Sequence, residues 1–353
     1  MKTGVVGYGV AAQFMHLPFI VTNPNFTLHS ILQRTGNAAS EKYPTVKIVR
    51  SLPEMLSDNE LELVVITSPN ETHFEYAALA LEAGKHVVVE KPFTVTSSDA
   101  KKLIDLAKAR KKVLSVYQNR RYVSDFLTIQ QLLNEKLLGE IVEFEGHYDR
   151  YRPEKRPQAW REKNEPGAGI FYDLGPHLID QAFCLFGLPK NITADIRIQR
   201  PHALTTDYFE LWLDYGFTKI ILKAGMLVRE PGTKYTIHGM NGSFLKSGED
   251  PQEALVRQGI LPTGANWGQE SADTYGFLHI EKDGKIIKEK YPSLPGNYGY
   301  FYRDLYDTIV NGKPLKVKPE QSFNVIRAIE LATESSTNKC SISCSGFMET
   351  EYD

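Results

Sequence analysis

The sequence predicts an α/β chain that opens with a doubly wound parallel sheet and continues into an α+β half built on a large open antiparallel sheet. Two patterns and one change of pattern point this way. In the first third, short Val/Ile/Leu runs alternate with helical stretches, the mark of βαβ units. Those runs are nearly continuous, which fits strands buried on both faces. After about residue 125, apolar residues instead alternate with polar ones over successive short segments, as in a sheet with one wetter face.

Element by element, TGVVGYG reads as a strand, AAQFMHLPFIVTN as a helix, LHSILQR as a second strand and ELVVITSPN as a third. THFEYAALALEAG is an amphipathic helix closing at Gly84, as helices often do. HVVVEKP is a fourth strand, SDAKKLIDLAKARK a helix and VLSVYQNRR a fifth strand. The second half offers EIVEFEGHYDRY, NITADIRIQRP, DYFELWLDY, TKIILKAGMLV, KYTIHGM and GSFLK as strands. One helical segment, FYDLGPHLIDQAFCLFG, interrupts them. PEQSFNVIRAIELATESST is helical again, with Phe323, Ile326, Ile329 and Leu331 along one stripe. The expected division is 1–122 and 123–353, with the helix near 319–337 able to pack back on the first part. A length of 353 residues suits two domains of roughly 150 each. There is no internal repeat and no low-complexity linker.

Composition narrows the function. With 42% apolar and 24% charged residues the chain has a sizeable core to bury. A net charge of −2, with both signs interspersed, gives nucleic acid or a membrane surface nothing to recognise. Cys184, Cys340 and Cys344 have neither a metal-like nor a disulfide-framework spacing, which points to a reducing, cytoplasmic setting and no metal. The apolar start MKTGVVGYGVAAQF is broken by glycines and runs straight into a folded pattern, against a cleaved leader. No run of about 20 apolar residues appears.

The chemistry is written in the loops that follow the strands. Gly7, Gly9 and Ala12 form a G-x-G-x-x-A fingerprint between a strand and a helix, the context that gives this pattern meaning. Its glycines allow a tight turn and close approach to a pyrophosphate, and the helix start offers free amides. The reading is therefore a dinucleotide-binding Rossmann domain. At the end of the second strand an NAD site usually carries an acid for the ribose hydroxyls. Here Gln33-Arg34-Thr35 stands instead, and an arginine with a hydroxyl suits a 2′-phosphate, so the expected cofactor is NADP, with NAD as the other candidate. Pro69 and Asn70, after the third strand, fall at the same sheet edge, with Thr72 placed to cap the next helix. Glu90-Lys91-Pro92 ends the fourth strand there too. A lysine that merely snorkels to water would explain Lys91 alone, not its agreement with the other loops. Asp173 and His177, four apart, share one helix face behind Gly167 and Gly169, either as a structural pair or as a catalytic one.

The order G-x-G-x-x-A, EKP and D-L-G-x-H resembles the Gfo/Idh/MocA family of oxidoreductases, over essentially the whole chain. GKHVVVEKPFTVT, LSVYQNRR, HYDRYRP, YDLGPHLIDQA and DPQEAL resemble its branch of NADP-dependent scyllo-inositol dehydrogenases. The resemblance implies a hydride transferred between the cofactor and a polyol, inositol or sugar hydroxyl. It implies that Gly7, Gly9 and Ala12 turn around the pyrophosphate and that Arg34 and Thr35 hold the adenosine ribose and its phosphate. Pro69, Asn70 and His73 would line the cofactor, and Glu90 and Lys91 would flank the nicotinamide ribose. Asn119 would lie near cofactor and substrate. Lys91, Asp173 and His177 match the catalytic trio, and Trp160 and Arg161 fall where this branch closes over substrate. It further implies a homo-oligomer, dimer or tetramer, formed through the second domain's sheet.

Oxidising an alcohol needs a base within hydrogen-bond reach of the hydroxyl. An imidazole, which ordinarily titrates at about 6.5, suits that task. A lysine can also bond the oxygen and stabilise alkoxide character. Lys91 and His177 both remain candidates for the base. Two other classes share this architecture: a dinucleotide-sensing regulator, which needs no lysine, aspartate and histidine together, and an NAD-dependent glycosidase, which releases no reduced cofactor.

Overall fold

The computed structural model of the chain describes residues 1–154 and 162–352. These fall into two compact units. The first holds Met1–Tyr122, Pro251–Trp267 and Asn297–Phe323; the second holds Val123–Asp250, Gly268–Gly296 and the chain from Asn324 onward. Among the described residues no helix is long and apolar enough to cross a membrane.

The first unit is built on a six-stranded sheet in the order β3-β2-β1-β4-β5-β6, every neighbouring pair parallel. The strands are β1 Lys2–Val6, β2 Thr27–Leu32, β3 Lys47–Val49, β4 Leu63–Ile66, β5 His86–Val89 and β6 Leu114–Val116. All four residues of β4 are buried, as the unbroken apolar run requires. Chain order reverses between β1 and β4, the place where open α/β sheets receive their ligands. Five strands were expected; β3 is the addition, three residues too short to show a period. The helices include α1 Leu17–Val21, α2 Ala38–Lys42, α3 Leu52–Leu56, α4 His73–Glu82 and α5 Ser97–Arg110. Thr96 caps α5 by accepting the Asp99 amide, and Lys111 closes it with φ 54°.

The helix expected over AAQFMHLPFIVTN is not uniform. Ala11–His16 is a π-helical turn that passes into α1. Pro18 near the start of α1 has no amide to donate one turn back, and its ring crowds that carbonyl; the wider turn relieves both.

The second unit carries a nine-stranded sheet ordered β14-β13-β12-β11-β7-β10-β9-β8-β15. Its strands are β7 Ile141–His147, β8 Asn191–Arg197, β9 Tyr208–Asp214, β10 Lys219–Gly225, β11 Tyr235–Gly239, β12 Gly242–Lys246, β13 Gly276–Lys282, β14 Lys285–Tyr291 and β15 Ile342–Ser343. The expected large antiparallel sheet is present and is mostly antiparallel, with one parallel pair at its middle, between β7 and β10. Along β9, Phe209, Leu211 and Leu213 are buried while Trp212 is 49% exposed, the period-two pattern read from the sequence. α6 Ser124–Asn134 opens this unit, and α7 Gly169–Phe186 packs on β9 and β10. Two later helices, α8 Gln252–Arg257 and α9 Gly299–Asn311, belong to the first unit. The last helix, α10 Pro319–Asn338, begins in the first unit and continues in the second.

Candidate functional site

The loops after β1, β2, β4, β5 and β6 leave the carboxyl ends of neighbouring strands, so topology alone gathers the first unit's candidate residues at one edge. Gly7 ends β1 with φ +100°, a left-handed conformation that side chains rarely adopt, and a Cβ there would press on Thr67 Oγ1 at 3.0 Å. Its amide donates to the Leu32 carbonyl at 3.0 Å. Thr67 in turn donates both its amide and its hydroxyl to Val6, tying the end of β4 to the end of β1. Gly9 is exposed, and a Cβ added there would meet no atom within 4 Å. Ala12 is fully buried, where a larger side chain would push the helix off the sheet. An open approach at Gly9, a left-handed Gly7 and a small buried third position fit the turn around a dinucleotide pyrophosphate.

Arg34 and Thr35 are exposed just past β2. The sequence reading missed the residue that shapes their loop. Arg50, after β3, donates to the carbonyls of Gln33 and Gly36 at 2.8 and 2.7 Å and to Asn37 Oδ1 at 3.0 Å. An arginine directly after a strand two elements away carries no local signal of that task.

Past β4, Pro69 is exposed and Asn70 buried at 5% exposure. Thr72 precedes α4, but its hydroxyl does not cap the helix. It turns back to Ser68 Oγ at 2.6 Å and the Pro69 carbonyl at 2.7 Å, which corrects the expected cap. His73 is 1% exposed, with Nδ1 2.8 Å from the Pro92 carbonyl and Nε2 2.9 Å from the Ser68 carbonyl. Burial pushes its pKa down despite both carbonyls, so the neutral ring donates to one of them at a time. His73 thus braces the loop after β4 against the loop after β5.

That second loop is Glu90-Lys91-Pro92, with a cis Lys91–Pro92 peptide. Glu90 is 8% exposed. Its Oε1 lies 2.8 Å from His16 Nε2, and its Oε2 accepts the Lys91 amide at 2.9 Å. Burial pushes this carboxyl up, but the hydrogen bond from His16 and nearby basic groups, Lys91 among them, outweigh it, and the net shift is downward. Glu90 is therefore a carboxylate engaged by its own loop and by His16. Lys91 is half-buried at the strand end. Asn119 follows β6 in a short 3₁₀ turn and is 7% exposed.

In the second unit, Gly167 and Gly169 both have left-handed φ, at 82° and 87°. A Cβ at Gly169 would run into Thr206, whose carbonyl receives the Ile170 amide at 2.7 Å, so α7 starts with its backbone against that segment. Asp173 and His177 lie inside α7, 7% and 6% exposed. Arg150 Nη1 stands 3.9 Å from Asp173 Oδ2, and the Tyr148 ring meets the His177 ring edge-on at 6.4 Å. Tyr148 and Arg150 belong to HYDRYRP, which the sequence offered as the end of a strand and as part of the resemblance, with no role for either side chain; the strand in fact ends at His147. Their amides donate to Lys223 and Gly225 of β10, which carries them past the end of β7 toward α7. Trp160 and Arg161 lie outside the described residues.

Comparison with known proteins agrees with this architecture. Residues 1–118 match the family model "Oxidoreductase family, NAD-binding Rossmann fold", and residues 130–343 match "Oxidoreductase family, C-terminal alpha/beta domain". The chain is 41% identical to the uncharacterized oxidoreductase YdgJ of Escherichia coli, over 97% of this chain and 98% of that protein. It is 40% identical to the scyllo-inositol 2-dehydrogenase (NADP(+)) IolW of Bacillus subtilis, over 97% and 95%. Among solved structures, an oxidoreductase from Bacteroides fragilis superposes with a TM-score of 0.90 at 44% identity, covering 97% of this chain and 99% of that one. With both halves matched in order, the chain belongs to the Gfo/Idh/MocA family of oxidoreductases.

Proposed function

We propose that the protein is an NADP-dependent dehydrogenase moving a hydride between the cofactor and a hydroxyl-bearing carbon of a polyol, inositol or related sugar. The observation that carries this reading is the sheet edge of the first unit, where Lys91 follows β5 next to the Asn70 loop after β4, with the Gly7 turn on the far side of that loop. Gly7, Gly9 and Ala12 would receive the pyrophosphate, Arg34 and Thr35 the 2′-phosphate, and Pro69, Asn70, Glu90 and Asn119 the rest of the dinucleotide. His73 serves that site by bracing two of its loops. When bound, the nicotinamide supplies the hydride acceptor. Lys91 donates a hydrogen bond to the substrate oxygen and stabilises it as its proton leaves. His177 or Lys91 takes that proton, and Asp173, close to Arg150, orients its neighbour or the substrate. IolW, a relative at 40% identity, supports the inositol-like substrate. The exposed Trp212 face of the mixed sheet supports a homo-oligomer, dimer or tetramer, which light scattering would size. Cysteines at 184, 340 and 344, with neither a metal-like nor a disulfide-framework spacing, suit a reducing cytoplasm.

The test is spectrophotometric. The protein is incubated with NADP or NAD and a panel of inositols, aldoses and ketoses while reduced cofactor is followed in the near ultraviolet. Reduction with NADP and one inositol, abolished in Lys91→Met while NADP still binds, is expected. Normal turnover by Lys91→Met would sink the role given to the lysine.

A further inference from the structure

His16 has no part in the fingerprint, yet it is fully buried and both ring nitrogens are engaged. It closes the π-helical turn that starts at Ala11, two residues after Gly9, so one short helical segment carries the cofactor turn at one end and His16 at the other. Such turns recur at functional sites. Nδ1 lies 2.6 Å from the Tyr302 hydroxyl and Nε2 2.8 Å from Glu90 Oε1. The ring lies against Tyr117 at 4.0 Å between centroids, and Tyr117 is pinned by donating to the Met15 carbonyl at 2.6 Å. Burial, then the Glu90 charge, keeps the Tyr302 proton in place far above the usual phenol range. One arrangement uses every polar atom. Tyr302 donates to Nδ1, Nε2–H donates to Glu90 Oε1, and Glu90 Oε2 accepts the amide of Lys91.

We propose that His16 is a positioning residue: braced by Tyr302, it fixes the Glu90 carboxylate that receives the Lys91 amide, and so sets where the lysine stands. Lys91 precedes a proline, which already restricts its backbone. The amide bond to Glu90 defines the peptide plane on the other side, and the direction of the side chain follows. The kinetic part of this inference rests on the dehydrogenase reading; the backbone part does not.

The experiment compares wild type with His16→Leu, which removes both polar contacts, and His16→Gln, which returns a donor toward Glu90. For each, kcat, KM, NADP affinity and single-amide hydrogen exchange by fragmentation mass spectrometry are measured. His16→Leu is expected to lose about 10- to 100-fold in kcat, the scale of a small misplacement of a reacting group, with KM and NADP affinity nearly unchanged. The Lys91 amide exchanges faster while Val88 and Val89 keep their protection, and His16→Gln recovers most of the rate. Wild-type kcat in His16→Leu, or an unchanged Lys91 amide, overturns the proposal. So does loss of protection across the whole strand, which would make His16 a core residue only. Should His16→Leu fail to fold, Tyr302→Phe carries the test, with a smaller loss of kcat and the same selective change at Lys91; no change in either overturns it. If the wild type turns over no polyol, the dehydrogenase reading fails while the exchange at Lys91 still decides this one.

Discussion

Replacing Arg34 with alanine tests the cofactor assignment at a single side chain. The loop does not depend on Arg34 for its shape, because Arg50 holds it through bonds of 2.7–3.0 Å to Gln33, Gly36 and Asn37. The substitution therefore removes a charge and leaves the backbone in place. A hydrogen bond to a charged group contributes roughly 1.5–3 kcal/mol. Arg34 is exposed, and exposed ion pairs fall toward about 0.2–1 kcal/mol. A dianionic phosphate held by an arginine sits between those limits, so we expect a loss of about 1–2 kcal/mol, or roughly 5- to 30-fold in kcat/KM with NADP. NAD lacks the phosphate and its kcat/KM stays put. The assay is initial rates with both cofactors at low and high salt. The wild-type preference for NADP shrinks as salt screens the pair, whereas the small remaining preference of Arg34→Ala barely responds. An unchanged NADP/NAD ratio in Arg34→Ala refutes the assignment. Arg50→Met is the control, expected to weaken both cofactors together because the loop itself loses its ties.

The other predictions concern the second unit and pH. Asp173→Ala is expected to lower kcat more than it raises KM, because a group that orients the reacting atoms acts mainly in the transition state; a rise in KM alone would make it a binding residue only. Lys246 is fully buried with Nζ 3.0 Å from Glu270, itself 1% exposed at the side chain, so Lys246→Met strands a carboxylate in the core. The loss should be about 3–5 kcal/mol in denaturant unfolding, the usual scale for breaking a buried pair by removing one partner; a midpoint equal to wild type would show that the pair contributes nothing. Burial first, and then Lys112, push the His86 pKa down to about 4, and its Nδ1 accepts the Val113 amide at 3.0 Å. The unfolded imidazole, at about 6.5, binds protons more readily than the folded one. Stability from this site is therefore complete above the unfolded value and is lost as pH falls from there toward about 4. His86→Asn keeps an acceptor and does not titrate, so its unfolding midpoint should decline less over that range; parallel declines would place the acid sensitivity elsewhere.

What could be read from the sequence was whatever a local pattern encodes. The unbroken apolar runs of β4 and β5 announced strands buried on both faces, and Asp173 with His177 announced a shared helix face, because burial and helical pitch act on neighbours in the chain. β14 escaped notice for the opposite reason. KIIKEKY is exposed or half-buried throughout, so no core imposed an apolar face on it, and its pairing comes from the turn at Asp283 and Gly284. The parallel pairing of β7 with β10 is likewise invisible locally, since either strand alone looks fit for an antiparallel neighbour. The same limit hid Arg50, His16 and Tyr302. Each acts on a residue distant in sequence, 286 positions away for His16 and Tyr302, and a buried histidine in an apolar helix reads as core until its partners are known.

Those distant contacts bear on how Lys91 could work. Two buried histidines hold the floor around it, His73 bridging the carbonyls of Ser68 and Pro92, and His16 bridging Tyr302 and Glu90. His16 uses one ring nitrogen as acceptor and the other as donor, while the neutral His73 donates to one of its two carbonyls at a time. A shift of the loop after β4 or the one after β5 therefore breaks a buried hydrogen bond, a costly outcome. The aliphatic stem of a lysine, by contrast, carries several rotatable bonds and a compact ammonium. Under the proposed reaction, a backbone held in this way sets where the Lys91 ammonium meets an oxygen whose charge grows, while the turn at Gly7 and the strand ends keep their places for the proposed cofactor. On this view the rigidity around Lys91 is the functional property, and substitutions that soften the two histidine braces should lower the rate well before they lower cofactor affinity.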